Sequence, residues 1–363
     1  MNYKFKHAIY IGRFQPAHAA HLKSIGIALE KAQTLIIFIG SAKRPSDLRN
    51  PWSYESRIDI LKDAIQEYYN EDLHPGWTDF PPNSILKRII FAPLRDYHYN
   101  NGKWASEVVA TANRLGAEAS PRSTVLVGAK KDNTSFYLDM FQSWTLEEHP
   151  IAYNGLSAVS IRYELFENGN IDSVDHIMDV TKQWASSWMH DADGRADFIK
   201  GEWAFHKAEW KKYEKLEHGY TAITGDAVIH KSGCILLIKR GSHPGKGLWA
   251  LPGGYINTSE WVTDGLLREV KEETKISVPK TGPGSLKDHI KTIEYFDNPN
   301  RSLRGRLLTF AHVIDLGYGP LPSVKGGDDA AGAFWIPLQD IYRMEDELFE
   351  DHFDILIKTT GIF

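Results

Sequence analysis

The feature that most limits what this 363-residue chain can become is the alternation in its first half. His7 to Gly12, Thr34 to Gly40, Arg88 to Ala92 and Thr124 to Gly128 are short apolar runs of strand length. Helix-length segments, such as His18 to Ala32 and Tyr54 to Tyr69, fall between them. Strands spaced by helices require right-handed crossovers and hence a parallel sheet. Ligands of such folds gather where strand C-termini meet helix N-termini.

The pattern then changes twice. From about Trp184 to His218 there are no strands, and the stretch is charged and aromatic, with Trp184, Trp188, Trp203 and Trp210. It reads as a helical connector packing on one or both domains, its tryptophans most simply core. From Tyr220 short strands return, at Thr221 to His230, Cys234 to Lys239 and around Leu307 to Ile314. Helices over Glu260 to Lys275 and Glu345 to Thr359 complete an α+β domain. The expected division is 1–183, 184–218 and 219–363. A formal charge of −5 gives no global attraction for nucleic acid or an anionic membrane, so phosphate binding must come from local basic clusters. Cys234 is the only cysteine, which excludes an intrachain disulfide or a cysteine-based zinc site. No signal peptide and no bilayer-length apolar run is read, and the expected location is cytoplasmic.

The first chemical cluster follows the first strand: Gly12-Arg13-Phe14-Gln15-Pro16-Ala17-His18-Ala19-Ala20-His21. Pro16 stops the strand and prepares a helix. His18 and His21 then share one face of its first turn, where unsatisfied NH groups and the helix dipole favour an anion. With Arg13 they suit a nucleotide's phosphate chain. Near the end of the domain, Ser157, Ser160 and Arg162 open another helix with hydroxyls and a fixed guanidinium fork. Taken singly, each segment is also an ordinary helix start.

The second cluster is more specific: Gly254, five residues, Glu260, seven residues, then Arg268-Glu269-Val270-Lys271-Glu272-Glu273-Thr274-Lys275-Ile276. On a helix, Glu269, Glu272 and Glu273 present carboxylates on one face, where they repel unless a cation joins them. Hard oxygen ligands favour Mg2+ or Mn2+. Arg268 can orient the carboxylates, Ser259 is the expected N-cap, and Leu251-Pro252-Gly253-Gly254 makes a tight loop beside the metal. The alternative, an exposed acidic helix, accounts poorly for the fixed Gly, Glu and Arg.

The two early segments together resemble the HxGH nucleotidyltransferases, and more closely the nicotinamide-mononucleotide (NMN) adenylyltransferases fused to Nudix domains. Ala20 stands where that motif has Gly, and Ser160 where it has Thr. The later segment resembles the Nudix box, with Lys275 at its final Gly position. The resemblance implies an α/β chain: a Rossmann-like parallel-sheet nucleotidyltransferase domain, then an α+β Nudix domain with a mixed sheet and flanking helices. It further implies that His18, His21 and Arg162 hold ATP phosphates with Gly12, Arg13, Phe14, Ser157 and Ser160. Lys130, Lys131 and Asp132, after the strand ending at Gly128, read either as lying near ATP or equally as a solvated charge cluster. Asp96, Asn100 and Trp104 resemble the nicotinamide pocket, although Trp104 reads equally as a core anchor. In the second domain, Glu269, Glu272 and Glu273 are the implied metal ligands, with Glu269 and Glu273 catalytic. The base is open between Glu273 and an acid of a later loop, Asp328 or Asp329, which read equally as turn formers. Arg301, Arg304 and Arg306 resemble a phosphate-binding turn for ADP-ribose, and Arg240 reads as lining that substrate's base or ribose.

The implied partners are ATP, NMN and ADP-ribose, with Mg2+ or Mn2+ at both sites, no nucleic acid and no membrane. A homo-oligomer stays open. So do two alternatives: the same chemistries on other substrates, and a Nudix half that senses a ligand.

Overall fold

The computed structural model describes residues 3–69, 82–130, 133–153, 156–190, 194–217, 220–279 and 284–361. The chain divides into two compact units, Met1–Ile199 and Lys200–Phe363. No helix among the described residues is long and apolar enough to cross a membrane.

Unit 1 runs β1 (Phe5–Gly12), α1 (Ala19–Lys31), β2 (Ala32–Ile39), α2 (Tyr54–Tyr68), α3 (Pro82–Leu86), β3 (Ile89–Pro93), α4 (Asn101–Arg114), β4 (Thr124–Gly128), β5 (Thr145–Glu148), α5 (Ala158–Asn168) and α6 (Asp179–Met189). The sheet order is β3-β2-β1-β4-β5, every neighbouring pair parallel. Both faces are buried, which is why these strands read as continuous apolar runs. On one face Ala8, Tyr10, Leu35 and Ile37 meet Leu22 and Ile25 of α1 and Leu61 of α2. On the other, Ile9, Ile36 and Phe38 meet Val108 and Ala112 of α4. The order of crossovers reverses between β1 and β4, and the crevice at their C-terminal ends is where such sheets bind ligands.

The stretch expected as a connector is helical but shared between the units. Trp184 and Trp188 of α6 pack edge-on against Trp52, at 5.1 and 5.7 Å between ring centroids. The Glu67 carboxylate caps α6 by accepting from the Asp179 and Val180 NH groups, both at 2.8 Å. The boundary of the two units falls inside α7 (Arg195–Tyr213).

Unit 2 continues with β6 (Thr221–Lys231), β7 (Cys234–Arg240), β8 (Trp249–Ala250), β9 (Gly253–Tyr255), α8 (Val262–Thr274), β10 (Ile290–Phe296), β11 (Arg306–Asp315), β12 (Ala330–Pro337), α9 (Leu338–Ile341) and α10 (His352–Thr360). Its mixed sheet is ordered β10-β11-β6-β7-β12. β6 and β7 pair only beside their turn, at His230 with Ile235 and Lys231 with Cys234. Beyond that, β9 pairs with β6 and β8 with β7. Leu266 and Val270 of α8 enter the core with Ala227, Ile229 and Leu236.

Two helix boundaries differ from expectation. α8 begins at Val262 with Trp261, not Ser259, at the N-cap. Glu260 is held outside the helix because its carboxylate accepts from the Asn257 NH and from Arg268. The last helix begins at His352 rather than Glu345: residues 345–347 form a single 3-10 turn, and Glu350 takes a left-handed conformation at φ 46° that ends helical continuity.

Candidate active sites

In unit 1 the chain leaves β1 at Gly12 and turns sharply. A Cβ on Gly12 would lie 2.8 Å from the Phe14 ring, so only glycine lets that ring fold back over the strand end. The Gly40 NH donates to the Gly12 carbonyl at 2.8 Å, tying the ends of β1 and β2 together. His18 is the N-cap of α1, buried, and its NH donates to His21 Nδ1 at 3.3 Å. The two imidazoles lie against each other, 3.8 Å between centroids and tilted by 31°, with Phe14 against His21 at 4.9 Å. The expected anion seat is partly filled, because the Ala19 NH donates to the His176 carbonyl at 3.0 Å.

Arg162 joins the two motifs. Its Nη1 donates to the Gln15 carbonyl at 2.5 Å and its Nε to the Leu48 carbonyl at 2.9 Å. α5 is thereby fixed beside the β1–α1 loop. Its first turn is capped by Ser157 Oγ, which accepts from the Ser160 NH at 3.2 Å, while Ser160 Oγ donates to the Ser157 carbonyl at 2.9 Å. Burial and the nearby Arg13 push the Arg162 guanidinium down to about 10, which leaves it charged at neutral pH. Arg57, in the helix expected over Tyr54 to Tyr69, is equally buried. It donates to the carbonyls of Arg13, Gly40, Ser41 and Ser53 at 2.6 to 3.2 Å. Burial, with Arg13 again opposing its charge, pushes it down to about 10. Arg13 itself is exposed. Three guanidiniums thus surround one loop at the sheet's C-terminal edge, a local field that favours a polyanion.

The remaining expected residues of unit 1 are more dispersed in role. Asp96 lies 3.9 Å from Arg44. Asn100 caps α4, its Oδ1 accepting from the Lys103 NH at 2.8 Å. Trp104, on the first turn of that helix, packs against Tyr137 and Phe141 at 6.0 and 5.8 Å. All three follow the C-terminal end of β3, and Asn100 and Trp104 have structural work there. Lys130 follows β4 and pairs with Asp139 at 2.9 Å, which raises its pKa. Asp132 and its neighbour Lys131 lie outside the described residues.

In unit 2 the acidic segment is organised by Arg268. Its Nη2 donates to Glu260 at 2.7 Å, and its Nη1 to Glu269 at 2.7 Å and Glu272 at 2.9 Å. Those bonds, with one from the Asn257 NH, hold the Glu260 carboxyl down at about 2. Glu273 accepts from the Gly253 NH at 2.8 Å. Burial pushes its carboxyl up to about 8, aided by Asp329 and Glu269. Glu269 is also raised, first by burial, with Glu272 and Asp328 adding to it. A Cβ on Gly254 would fall 2.8 Å from the Glu269 carboxyl carbon, so the glycine makes the recess in which that carboxylate sits.

The loop before β12 is drawn onto the same helix. The Gly327 NH donates to the Glu273 carbonyl at 3.0 Å and the Lys325 NH to the Thr274 carbonyl at 2.8 Å. Asp328, at φ 52°, and Asp329 are thereby brought to the acidic face. Lys275 ends α8 at φ 46° and ψ 31°, with its NH on the Lys271 carbonyl at 3.1 Å. The turn that glycine usually makes is kept in place, by a lysine.

The basic residues divide. Arg240 is half-buried, donates from Nε to the Pro244 carbonyl at 2.7 Å, and lies over the Phe349 ring at 4.3 Å. Arg304 lies over the same ring at 5.6 Å and over Tyr255 at 5.5 Å, and pairs with Glu350 at 2.9 Å. Arg301 does not join them. It is 3% exposed and donates twice to Asp351, at 3.0 and 2.9 Å, with Asp226 at 3.7 Å. Arg306 turns away to Asp297. Phe349, Glu350 and Asp351 were hidden inside an expected helix, and only the left-handed residue at 350 delivers them to the arginines.

Among the described residues no three of His, Cys, Asp or Glu stand ready-made as a metal cage, since Arg268 holds Glu269 and Glu272. The donor set nevertheless fits a divalent cation. Asp328 and Glu272 help to raise the Glu269 carboxyl, Asp329 and Glu269 that of Glu273, and a cation relieves that repulsion.

Residues 222–358 match the family model described as NUDIX domain, and residues 9–79 the one described as Cytidylyltransferase-like. A nicotinamide/nicotinic acid mononucleotide adenylyltransferase of Acinetobacter baylyi is 34% identical over 172 residues, covering 47% of this chain and 81% of that protein. An ADP-ribose pyrophosphatase of Methanocaldococcus jannaschii is 34% identical over 138 residues, 38% of this chain and 73% of that one. A crystal structure of a bifunctional NMN adenylyltransferase/ADP ribose pyrophosphatase from Francisella tularensis is similar over 99% of both chains, with a TM-score of 0.86 and 28% identity. The chain belongs to the bifunctional NMN adenylyltransferase/Nudix hydrolase family. A second Francisella tularensis structure, complexed with AMP and a manganese ion, has a TM-score of 0.84 at 27% identity, covering 98% of this chain and 99% of that one. The Nudix helix of this chain carries Glu269, Glu272 and Glu273, which weighs against a purely ligand-sensing second half.

Proposed function

We propose that unit 1 transfers the adenylyl group of ATP to NMN, releasing pyrophosphate and forming NAD, and that unit 2 hydrolyses ADP-ribose to AMP and ribose 5-phosphate. Convergence supports this reading: in each unit, segments far apart in sequence meet around charge suited to phosphate chemistry. The bond from Arg162 to the Gln15 carbonyl carries it most directly.

In the first reaction the NMN phosphate is already an anion and needs no base. It attacks the α-phosphorus in line, a P–O bond forms, and the bond to the departing pyrophosphate breaks. His18, His21 and Arg13 bind the phosphates; Arg162, Arg57 and the Ser157–Ser160 cap keep the loop in register, so that charge meets charge at the transition state. Magnesium bound to the departing pyrophosphate would supply further charge neutralisation. Asp96, Asn100 and Trp104 line the side where the nicotinamide ring sits, and Lys130 faces the nucleotide.

In the second reaction, Glu269, Glu272 and Glu273 would hold a divalent cation, which supplies Lewis-acid activation of water and charge neutralisation on the pyrophosphate. Arg240 and Arg304 bind the substrate's phosphates beside the Phe349 ring. Asp328, placed beside Glu269, takes the proton of the attacking water, and Asp329 stands beside Glu273, where the cation would offset their mutual repulsion. Arg301 acts from behind by fixing the 301–304 turn.

The test is a double dissociation in the full chain. Glu269→Gln is expected to abolish ADP-ribose hydrolysis and spare adenylyl transfer. His18→Ala is expected to do the reverse, costing about 2–4 kcal/mol of transition-state stabilisation, roughly 30- to 1,000-fold in rate. Loss of both activities from either substitution in a folded protein would refute the two-site reading.

A further inference from the structure

The loop between β7 and β8 is fastened from α7, outside both the sheet and the acidic helix. Glu202 on α7 is 2% exposed. Its Oε1 accepts from His243 Nδ1 at 2.7 Å and from the Gly245 NH at 2.6 Å, and its Oε2 lies 3.6 Å from Nε2 of the buried His206. The helix is shaped for this contact: a Cβ on Gly201 would fall 2.4 Å from His243 Nε2. Burial opposes an ionised Glu202, yet the bonds from His206, His243 and Gly245 hold its carboxyl below its ordinary value. A buried negative charge is therefore kept at a surface loop.

Between the two residues that Glu202 holds lies Pro244, and its carbonyl accepts from Arg240 Nε at 2.7 Å. The Arg240 guanidinium then lies on the Phe349 ring at 4.3 Å, while a Cβ on Gly245 would meet the same ring at 2.3 Å. Carboxylate, loop, guanidinium and ring form one continuous train of contacts. An arginine that binds a pyrophosphate is useful only if its fork is held in one orientation, because geometric error of about 1 Å at such a group costs roughly 100-fold.

We propose that Glu202 is a positioning residue for the hydrolytic reaction, acting through the 243–245 loop to orient Arg240 toward the substrate's phosphates. This rests on the reading of Arg240 as a phosphate ligand.

The test is a double-mutant cycle on the full chain with ADP-ribose as substrate. Glu202→Ala is expected to raise KM about tenfold with kcat within about twofold, the pattern of lost binding common to ground and transition states. Glu202→Gln, which keeps an oxygen acceptor for both donors, should recover most of the loss. In an Arg240→Ala background, Glu202→Ala should add nothing further, since residues acting as one unit are not additive. Where Glu202→Ala does not fold, His243→Ala at its part-exposed position replaces it, with the same cycle against Arg240→Ala. Adenylyl transfer in each preparation checks the fold of unit 1, and circular dichroism that of the whole chain. A full additive loss in the Arg240→Ala background, or an unchanged KM in both single variants of the loop anchor, overturns the proposal while leaving Arg240 as a ligand. An Arg240→Ala variant with unaltered KM and kcat removes the phosphate-ligand reading and the proposal with it.

Discussion

Asp351→Asn separates two roles for Arg301. The sequence placed Arg301 in a basic turn that binds the substrate's phosphates; the fold buries it against Asp351 with two hydrogen bonds at 3.0 and 2.9 Å. Breaking a buried pair by removing one charge typically costs about 3–5 kcal/mol, because the other charge is left uncompensated. Asparagine keeps the shape and one acceptor, and Asp226 still lies 3.7 Å from Arg301, so the lower end, about 3 kcal/mol, is expected. In a unit of this size 1 kcal/mol shifts the melting temperature by roughly 2–4 °C, giving a loss of about 6–12 °C. Heat inactivation of ADP-ribose hydrolysis reads this directly, with adenylyl transfer in the same tubes as an internal control. At 25 °C the surviving enzyme should keep kcat and KM within a factor of about three, since no phosphate ligand has been touched. Replacing both partners together, Arg301→Met with Asp351→Leu, should restore most of the lost stability. The reasoning is refuted if Asp351→Asn leaves the inactivation temperature within 1 °C of the parent while raising KM tenfold.

Two further outcomes follow from the same unit. Glu273 holds its proton up to about 8 in the folded chain, against the ordinary carboxylate value of 4.5 when unfolded. Its contribution to stability is therefore full at or below the ordinary value and is lost as pH rises toward 8, at up to ~1.4 kcal/mol per pH unit. Denaturation in the presence of a chelator should show that decline between pH 5 and 8, and Glu273→Gln should flatten it; an identical slope in the variant counts against the assignment. Lys275→Gly should raise the inactivation temperature of hydrolysis, by relieving about 1 kcal/mol of left-handed strain, with kcat unchanged. A less stable glycine variant would mean that the lysine's packing over Gly327 outweighs the strain.

Much of the architecture was legible because the relevant signals are local. The run Thr34 to Gly40 is apolar on both faces, and only a sheet covered on both sides buries it. Glu269, Glu272 and Glu273 share a helix face by spacing alone. What escaped depends on partners distant in sequence. Nothing near Arg57 reveals that four carbonyls from three segments await its guanidinium, and nothing near Glu202 points to the His243 loop. Glu350 and Asp351 looked like helix interior because the residues around them have acceptable helical periodicity; their buried arginine partners, about 50 positions earlier, override that preference. Ser259 lost the N-cap because Glu260 is more strongly bound outside the helix than in it. Asn100 illustrates the converse: a residue singled out for ligand chemistry also has a capping role that its position before a helix foretold.

The glycine pair under Glu269 belongs to β9, hydrogen-bonded into the sheet through β6, and its Gly253 has so little clearance that a methyl group there would lie 2.0 Å from the Gly225 carbonyl oxygen. The floor of the hydrolytic centre is thus part of the rigid scaffold and has no freedom to adapt to a differently shaped substrate. Any change in what this half accepts must come from the walls, at 240–247, 301–304 and 348–351, which can diverge in sequence while the floor beneath them stays fixed.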